Sequence, residues 1–86
     1  MNLTFTPSAW DDYEWFVQQD RKLLKRINQL IHEILRTPFE GIGKPEPLKG
    51  DLSGYWSRRI NDEHRLVYAA RVDDVIVIAC RHHYGS

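Results

Sequence analysis

Residues 20–38 read DRKLLKRINQLIHEILRTP, and apolar side chains recur in this stretch at three- and four-residue spacing. That spacing predicts an amphipathic helix whose apolar stripe faces a core. Asp20 is suited to cap the first turn, and Thr37-Pro38 should end the helix because the residue before a proline disfavours helical backbone. The stripe consists of Leu23, Leu24, Ile27, Leu30, Ile31, Ile34 and Leu35.

The segment before this helix predicts a short strand and another helix. Leu3-Thr4-Phe5 has strand character and is closed by Pro7, and Ser8-Ala9-Trp10-Asp11 is typical of a helix start. Apolar side chains then share one helical face to about Gln18. They are Trp10, Tyr13, Phe16 and Val17.

Three runs of β-forming residues follow the helices, at residues 55–60, 64–70 and 75–84. The polar breaks between them suit short hairpin connections, so the runs should pair as an antiparallel meander. This order predicts an α+β fold in which two helices cover one face of a predominantly antiparallel sheet. We expect residues 1–86 to form a single domain, because this length is near the lower limit for one hydrophobic core.

Composition excludes several classes of protein. Twelve Lys and Arg balance twelve Asp and Glu, so the whole-chain charge offers no general attraction for nucleic acid. Cys80 is the only cysteine, which rules out an internal disulfide, and no Cys/His spacing resembles a structural zinc site. The longest apolar run, Val75 to Cys80, is too short to span a membrane, and no signal peptide is visible. We therefore expect a cytoplasmic protein without membrane attachment.

Two segments carry candidate chemistry. Residues 37–54 form a long connection with three of the four prolines and four of the five glycines, and such connections tend to be functional. Glu46 lies there between Pro45 and Pro47, which limit where its carboxylate can point. The last β-type run ends in Arg81-His82-His83-Tyr84, and hairpin pairing should bring Arg65 close to this chain end.

These residue types can cleave RNA without a metal or another cofactor. Attack by the RNA's own 2'-hydroxyl needs a base for that hydroxyl, an acid for the departing 5'-oxygen and positive charge around the phosphorus. We assign Glu46 as the base, His83 as the acid and Arg65 as the group that stabilises phosphate charge. The expected supporting residues are Arg59, Lys49 and Tyr84.

Each of these residues also has a purely structural interpretation. Glu46 could be a solvated loop charge, and the Arg58-Arg59 pair with Arg65 could form the wet face of a sheet. His83 could be a surface histidine at a strand end, and Tyr84 could pack down the chain end. The residue types alone leave a nuclease and a non-catalytic domain open.

A family resemblance favours the nuclease. From Trp10-Asp11-Asp12-Tyr13 to Tyr84, several segments resemble the YoeB toxins of the RelE/ParE superfamily in order and spacing. The resemblance implies a RelE-like, microbial-ribonuclease-like fold and a ribosome-dependent mRNA endoribonuclease that cleaves in the A site and inhibits translation. The other matching segments are residues 37–41 (TPFEG), 43–49 (GKPEPLK), 52–60 (LSGYWSRRI), 63–68 (EHRLVY) and 80–84 (CRHHY).

The same resemblance implies partners and roles for individual residues. The partners are a YefM-type antitoxin, the ribosome and mRNA, with operator DNA bound only through the antitoxin complex and a homodimer also open. By matching motif, Glu46 is the general base, His83 the general acid, Arg65 the phosphate stabiliser and Tyr84 a substrate-orienting residue, while Lys49 and Arg59 support the site. The chain departs from the family pattern by continuing past Tyr84 with Gly85-Ser86, which moves the terminal carboxylate away from Tyr84.

Two other functions fit the same fold. A ParE-like gyrase inhibitor would not need Glu46, Arg65 and His83, and a non-enzymatic module would only bind an antitoxin or DNA. The neutral net charge has an explanation under the nuclease hypothesis. If the ribosome holds the messenger, the toxin needs only a local cationic groove.

Overall fold

The fold is a five-stranded sheet with two helices, seen in a computed structural model that describes residues 1–82. The strands lie in the order β1-β5-β4-β3-β2; β1 is parallel to β5 and the other neighbours are antiparallel. The predicted α+β class is therefore confirmed, with one parallel pair at the β1 edge. The elements are β1 (Asn2–Phe5), α1 (Pro7–Gln19), α2 (Arg21–Arg36), β2 (Glu46–Pro47), a 3-10 turn (Gly50–Leu52), β3 (Trp56–Arg59), β4 (Arg65–Ala70) and β5 (Asp74–Ala79).

Helix α2 forms as its sequence predicts. The Asp20 side chain accepts a hydrogen bond from the backbone N–H of Leu23 at 3.1 Å, and Thr37 is the C-cap. Its apolar stripe packs with α1 and the strands into one core, because each element alone leaves an apolar face uncovered. The buried cluster contains Ala9, Phe16, Ile27, Leu30, Ile31, Ile34, Ile60, Leu66, Tyr68, Val75, Val77 and Cys80.

Helix α1 begins two residues earlier than the Ser8 start signal predicts. The cap is Thr6, whose hydroxyl accepts from the Ala9 N–H at 3.1 Å, and Pro7 occupies the first helical position, where its missing N–H is no loss. Trp10 does not enter the core: it is 48% exposed and stacks on Tyr13.

The last strand is shorter than predicted. β5 ends at Ala79, so the prediction of a strand to Tyr84 is wrong for residues 80–82. The cause is tertiary. The Arg81 guanidinium lies over the Trp15 ring at 3.8 Å, and His82 has a left-handed backbone with φ 67°. His83 and Tyr84 lie outside the described residues.

Arg58 holds the connection that leads to Glu46. Unlike its neighbour Arg59, it is completely buried, because successive strand residues face opposite sides of a sheet. Its guanidinium donates to the backbone carbonyls of Thr37 (2.6 Å), Glu40 (2.8 Å) and Ile42 (3.0 Å) and to the Tyr68 hydroxyl (3.2 Å). The interpretation of Arg58 as part of a wet sheet face is therefore wrong.

Replacing Arg58 with methionine should destabilise the protein by about 3 kcal/mol, because several charge-assisted hydrogen bonds to carbonyls are lost together. Arg36→Met is the matched control, since Arg36 is exposed and its ion pair with Glu33 is worth little. Urea unfolding of both variants measures the difference. Equal unfolding midpoints would show that Arg58 does not anchor the connection.

Candidate functional site

Glu46 is positioned by a two-residue edge strand that the sequence did not reveal. Glu46 pairs with Ser57 across β2 and β3, and the pairing continues on both sides through Gly43 O with Arg59 N–H (2.7 Å) and Leu48 N–H with Tyr55 O (2.9 Å). Prolines are tolerated on an edge strand, where they also discourage pairing with another chain. The carboxylate is thereby fixed to one rim of the sheet.

The carboxylate of Glu46 forms an ion pair with Arg65. Glu46 Oε1 lies 3.1 Å from Arg65 Nη1, which also donates to Ser57 Oγ at 3.1 Å. The Arg65 side chain is 17% exposed and the Glu46 side chain 58%, so the guanidinium is held while the carboxylate faces solvent. The pair therefore combines a proton acceptor that solutes can reach with a fixed positive charge.

Arg59 and Lys49, two of the three expected supporting residues, are placed differently. Arg59 is opposite Arg65 in the β3–β4 register and shares its face of the sheet, but its guanidinium pairs with Asp62. Lys49 precedes the 3-10 turn and is exposed; among residues 1–82 no ion pair joins its side chain to Glu46. The structure thus brings Glu46 and Arg65 together, puts Arg59 beside them and leaves Lys49 in the adjoining loop.

Residues 80–82, here called the exit segment, lead to His83. The Cys80 N–H donates to Asp12 Oδ2 at 3.1 Å, and Arg81 lies over Trp15, so α1 holds the first half of the segment. The start of β4 holds the second half through the Arg65 N–H, which donates to His82 O at 3.0 Å. The predicted approach of this chain end to Arg65 is confirmed as far as residue 82, while His83 and Tyr84 themselves lie outside the described range.

His64 is the residue that sequence reasoning missed. It is 4% exposed, its ring packs edge-on against Phe16, and its Nδ1 accepts a hydrogen bond from the His82 N–H at 2.8 Å. Burial lowers the pKa of His64, which favours the neutral ring that this bond requires. Its place one residue before a strand, on the same face as Leu66, was the signal that it points inward.

Glu63, His64 and His82 come together closely enough to suggest a cation site, with ligand atoms within 4.8 Å of one another. The hydrogen bond to Nδ1 argues against that use. While Nδ1 accepts, Nε2 must carry the ring proton, and coordination through either nitrogen would displace the bond from His82. The observed hydrogen bond therefore indicates that His64 is a neutral hydrogen-bond acceptor and not a metal ligand.

One groove in the described part of the molecule lies away from the Glu46–Arg65 pair. It has a volume of about 480 Å³ and is lined at the opposite end of β4 by Ala69, Ala70, Tyr55, Ile76 and Ile78, among others. Its lining includes no carboxylate or imidazole, so it does not offer the acid–base groups that the Glu46–Arg65 pair presents. Within residues 1–82, neither helix is long and apolar enough to cross a membrane.

Comparisons with known proteins agree on one family. Residues 5–84 match the family described as YoeB-like toxin of bacterial type II toxin-antitoxin system. The "Toxin YoeB" of Synechocystis sp. is 64% identical over 84 residues, 98% of each chain. A "YoeB/ParE toxin" structure from Agrobacterium tumefaciens has 53% identity and a TM-score of 0.94, covering 98% of this chain and 100% of the other.

Two Staphylococcus aureus structures are also similar, each with 50% identity and coverage of 98% of both chains. One is a YoeB dimer with a TM-score of 0.91, and the other is a heterotetrameric YoeB-YefM toxin-antitoxin complex with a TM-score of 0.90. The sequence match covers nearly the whole chain, and the structural matches cover 98% of it. The protein therefore belongs to the YoeB-like toxins of bacterial type II toxin–antitoxin systems.

Proposed function

We propose that this toxin is a ribosome-dependent endoribonuclease that cleaves mRNA in the A site and so inhibits translation. The observation that carries the proposal is the 3.1 Å pair of Glu46 and Arg65, with the Glu46 side chain exposed, beside the segment that leads to His83. A general base and a fixed cation, with an imidazole following in sequence, are the groups that phosphodiester cleavage by an internal hydroxyl requires.

In the proposed reaction Glu46 takes the proton from the 2'-hydroxyl of the messenger. The resulting oxygen attacks the adjacent phosphorus and forms a 2',3'-cyclic phosphate as the bond to the 5'-oxygen breaks. His83 donates a proton to that departing oxygen. Arg65 neutralises the charge that accumulates on the phosphoryl oxygens, and its contact with Ser57 fixes the direction from which it does so.

Three further residues have supporting roles in the proposal. Arg59 lies on the same face as Arg65 and can contact a flanking phosphate after it exchanges its exposed partner Asp62. Lys49 lies in the exposed loop between β2, which carries Glu46, and the 3-10 turn. Tyr84 orients the substrate by a hydrogen bond to a phosphate oxygen or by stacking on a base.

Dependence on the ribosome follows from charge and shape. The chain has equal numbers of basic and acidic residues, and free RNA is attracted to proteins mainly through excess positive charge. The Glu46 side chain is largely exposed to solvent, and catalysis also requires that a flexible strand be oriented against it. A ribosome that already holds the messenger supplies this orientation.

The proposal includes partners and location. A YefM-type antitoxin neutralises the toxin, and operator DNA is bound only through that complex; the Staphylococcus aureus relative was solved with YefM. A homodimer is a further state, since another structure of that relative is a dimer. The protein acts in the cytoplasm, where ribosomes and mRNA are found, without membrane association.

Cleavage of the same message, naked and ribosome-bound, tests the function directly. We expect cuts at A-site codons only in the ribosome-bound message at physiological salt, mapped by primer extension. Equal cleavage of both would contradict ribosome dependence. Inhibition of gyrase supercoiling without message cleavage would favour the ParE-like alternative, and antitoxin binding with neither activity would favour a binding module.

A further inference from the structure

His82 is held by hydrogen bonds at both of its backbone polar groups. Its N–H donates to His64 Nδ1 at 2.8 Å, and its carbonyl accepts from the Arg65 N–H at 3.0 Å. Its φ of 67° is in the left-handed region, which a histidine adopts at an energetic cost. Such a conformation persists when contacts with neighbouring groups hold it in place. Here those contacts are the hydrogen bonds to two consecutive residues, His64 and Arg65.

We propose that His64 is a positioning residue for the reaction: its neutral imidazole holds the His82 backbone and thereby directs the chain into His83. The inference rests on the proposed nuclease function. His83 is the next residue along the chain, so the direction of the His82 backbone sets where an acid at that position can reach. A displacement of about 1 Å in a catalytic group can lower a rate by about 100-fold.

The imidazole is itself held in place. Its ring packs against the rings of Phe16 and Trp15, both from α1, with centroid-to-centroid distances of 5.1 Å and 6.4 Å. The centroid of the His82 ring lies 5.6 Å away. The His64 backbone is fixed as well, since its carbonyl accepts from the Ile60 N–H at 3.0 Å and its N–H donates to Asn61 Oδ1 at 2.7 Å. The ring contacts therefore oppose a rotation that would turn Nδ1 away from His82.

Protonation would break this arrangement, because Nδ1 then carries a hydrogen and cannot accept from an N–H. Burial is the main cause that lowers the pKa of His64, and the nearby His82 and Arg81 also lower it, whereas Glu63 and Asp20 raise it. The lowered pKa keeps the ring neutral near pH 7. Its contribution to stability is present above the unfolded-state value of about 6.5 and is lost as pH falls through the folded-state pKa.

Two amide substitutions separate positioning from packing. The side-chain oxygen of asparagine in His64→Asn stands close to the place of Nδ1 and can accept from His82, whereas His64→Gln extends past it. Both lose the ring and neither titrates, so both should lower the melting temperature, His64→Gln somewhat more because the His82 N–H also loses its acceptor. On ribosome-bound message we expect kcat within about twofold of wild type for His64→Asn and about tenfold lower for His64→Gln, with KM unchanged.

Nuclear magnetic resonance gives an independent readout. In the wild type the His82 amide resonance should shift together with the His64 ring as pH falls through a value below 6.5, and in His64→Asn the change that follows the His64 ring should be absent. Equal kcat for the two variants, or a His82 amide that ignores the His64 titration, would overturn the positioning role. A wild type that does not cleave ribosome-bound message would instead overturn the proposed function, and the inference with it.

Discussion

Glu46→Gln should lower the single-turnover rate of cleavage of ribosome-bound message by about 10²–10⁴-fold. Glutamine keeps the size and polarity of the side chain, but it cannot take a proton from the 2'-hydroxyl. Since the Glu46 side chain is 58% exposed, the lost ion pair should change the free energy of unfolding by less than about 1 kcal/mol. The variant should therefore fold and bind ribosomes normally.

Glu40→Gln provides the matched control for this variant. Glu40 is an exposed glutamate in the same connection, six residues earlier in the chain, and its cleavage rate should equal that of wild type. Quench-flow measurement of cleavage with excess toxin removes any contribution from product release. A Glu46→Gln rate within a few-fold of the Glu40→Gln rate would remove Glu46 from the chemistry.

Arg65→Met should lower the same rate by about 10²–10³-fold, because a preorganised cation that faces the developing phosphate charge is lost. Arg65→Lys should retain part of the activity, since it keeps the charge but cannot contact Ser57 Oγ and a phosphate oxygen in the fixed geometry of a guanidinium. The effect should appear in kcat more than in KM, because the charge develops in the transition state.

Arg21→Met is the control for Arg65→Met, because it removes an equal charge from the exposed side of α2. It separates the local effect from the change in net charge, which alone would weaken association with ribosomal RNA. Titration of toxin against ribosomes gives KM for each variant. If Arg21→Met and Arg65→Met reduced kcat equally, the guanidinium at position 65 would have no specific role.

The sequence predicted those parts of the fold that are decided by local patterns. Helix α2 has a continuous apolar stripe with Asp20 before it and Thr37-Pro38 after it, so both its existence and its ends were predictable. The antiparallel pairing of β4 and β5 followed from two apolar runs joined by a short polar turn, and it correctly predicted that Arg65 approaches the chain end.

The features that the sequence did not predict depend on contacts between distant residues. β2 has only two residues, one of them a proline, and becomes a strand only because β3 pairs with it. β5 ends at Ala79 because the residues that follow make other contacts: Arg81 packs on Trp15, and the His82 N–H binds His64. No local sequence pattern predicts contacts between residues so far apart in the chain.

The candidate site shows the same division. Glu46 and Arg65 were chosen by residue type and motif, and the structure brings their side chains into contact. Arg58 and Arg59 are identical and adjacent, yet one anchors the connection from the buried side and the other faces the site. Only the register of β3 distinguishes them, and the register depends on which strands pair.

Removal of one 2'-hydroxyl from the messenger tests the proposed chemistry most directly. A message with a single 2'-deoxynucleotide at the scissile position should occupy the ribosome and bind the toxin normally, yet it should remain uncut, while the all-ribose message yields a fragment ending in a 2',3'-cyclic phosphate. Cleavage of the 2'-deoxy message at the rate of the all-ribose message would show that the hydroxyl is not the nucleophile, and would contradict the role of Glu46 as its base.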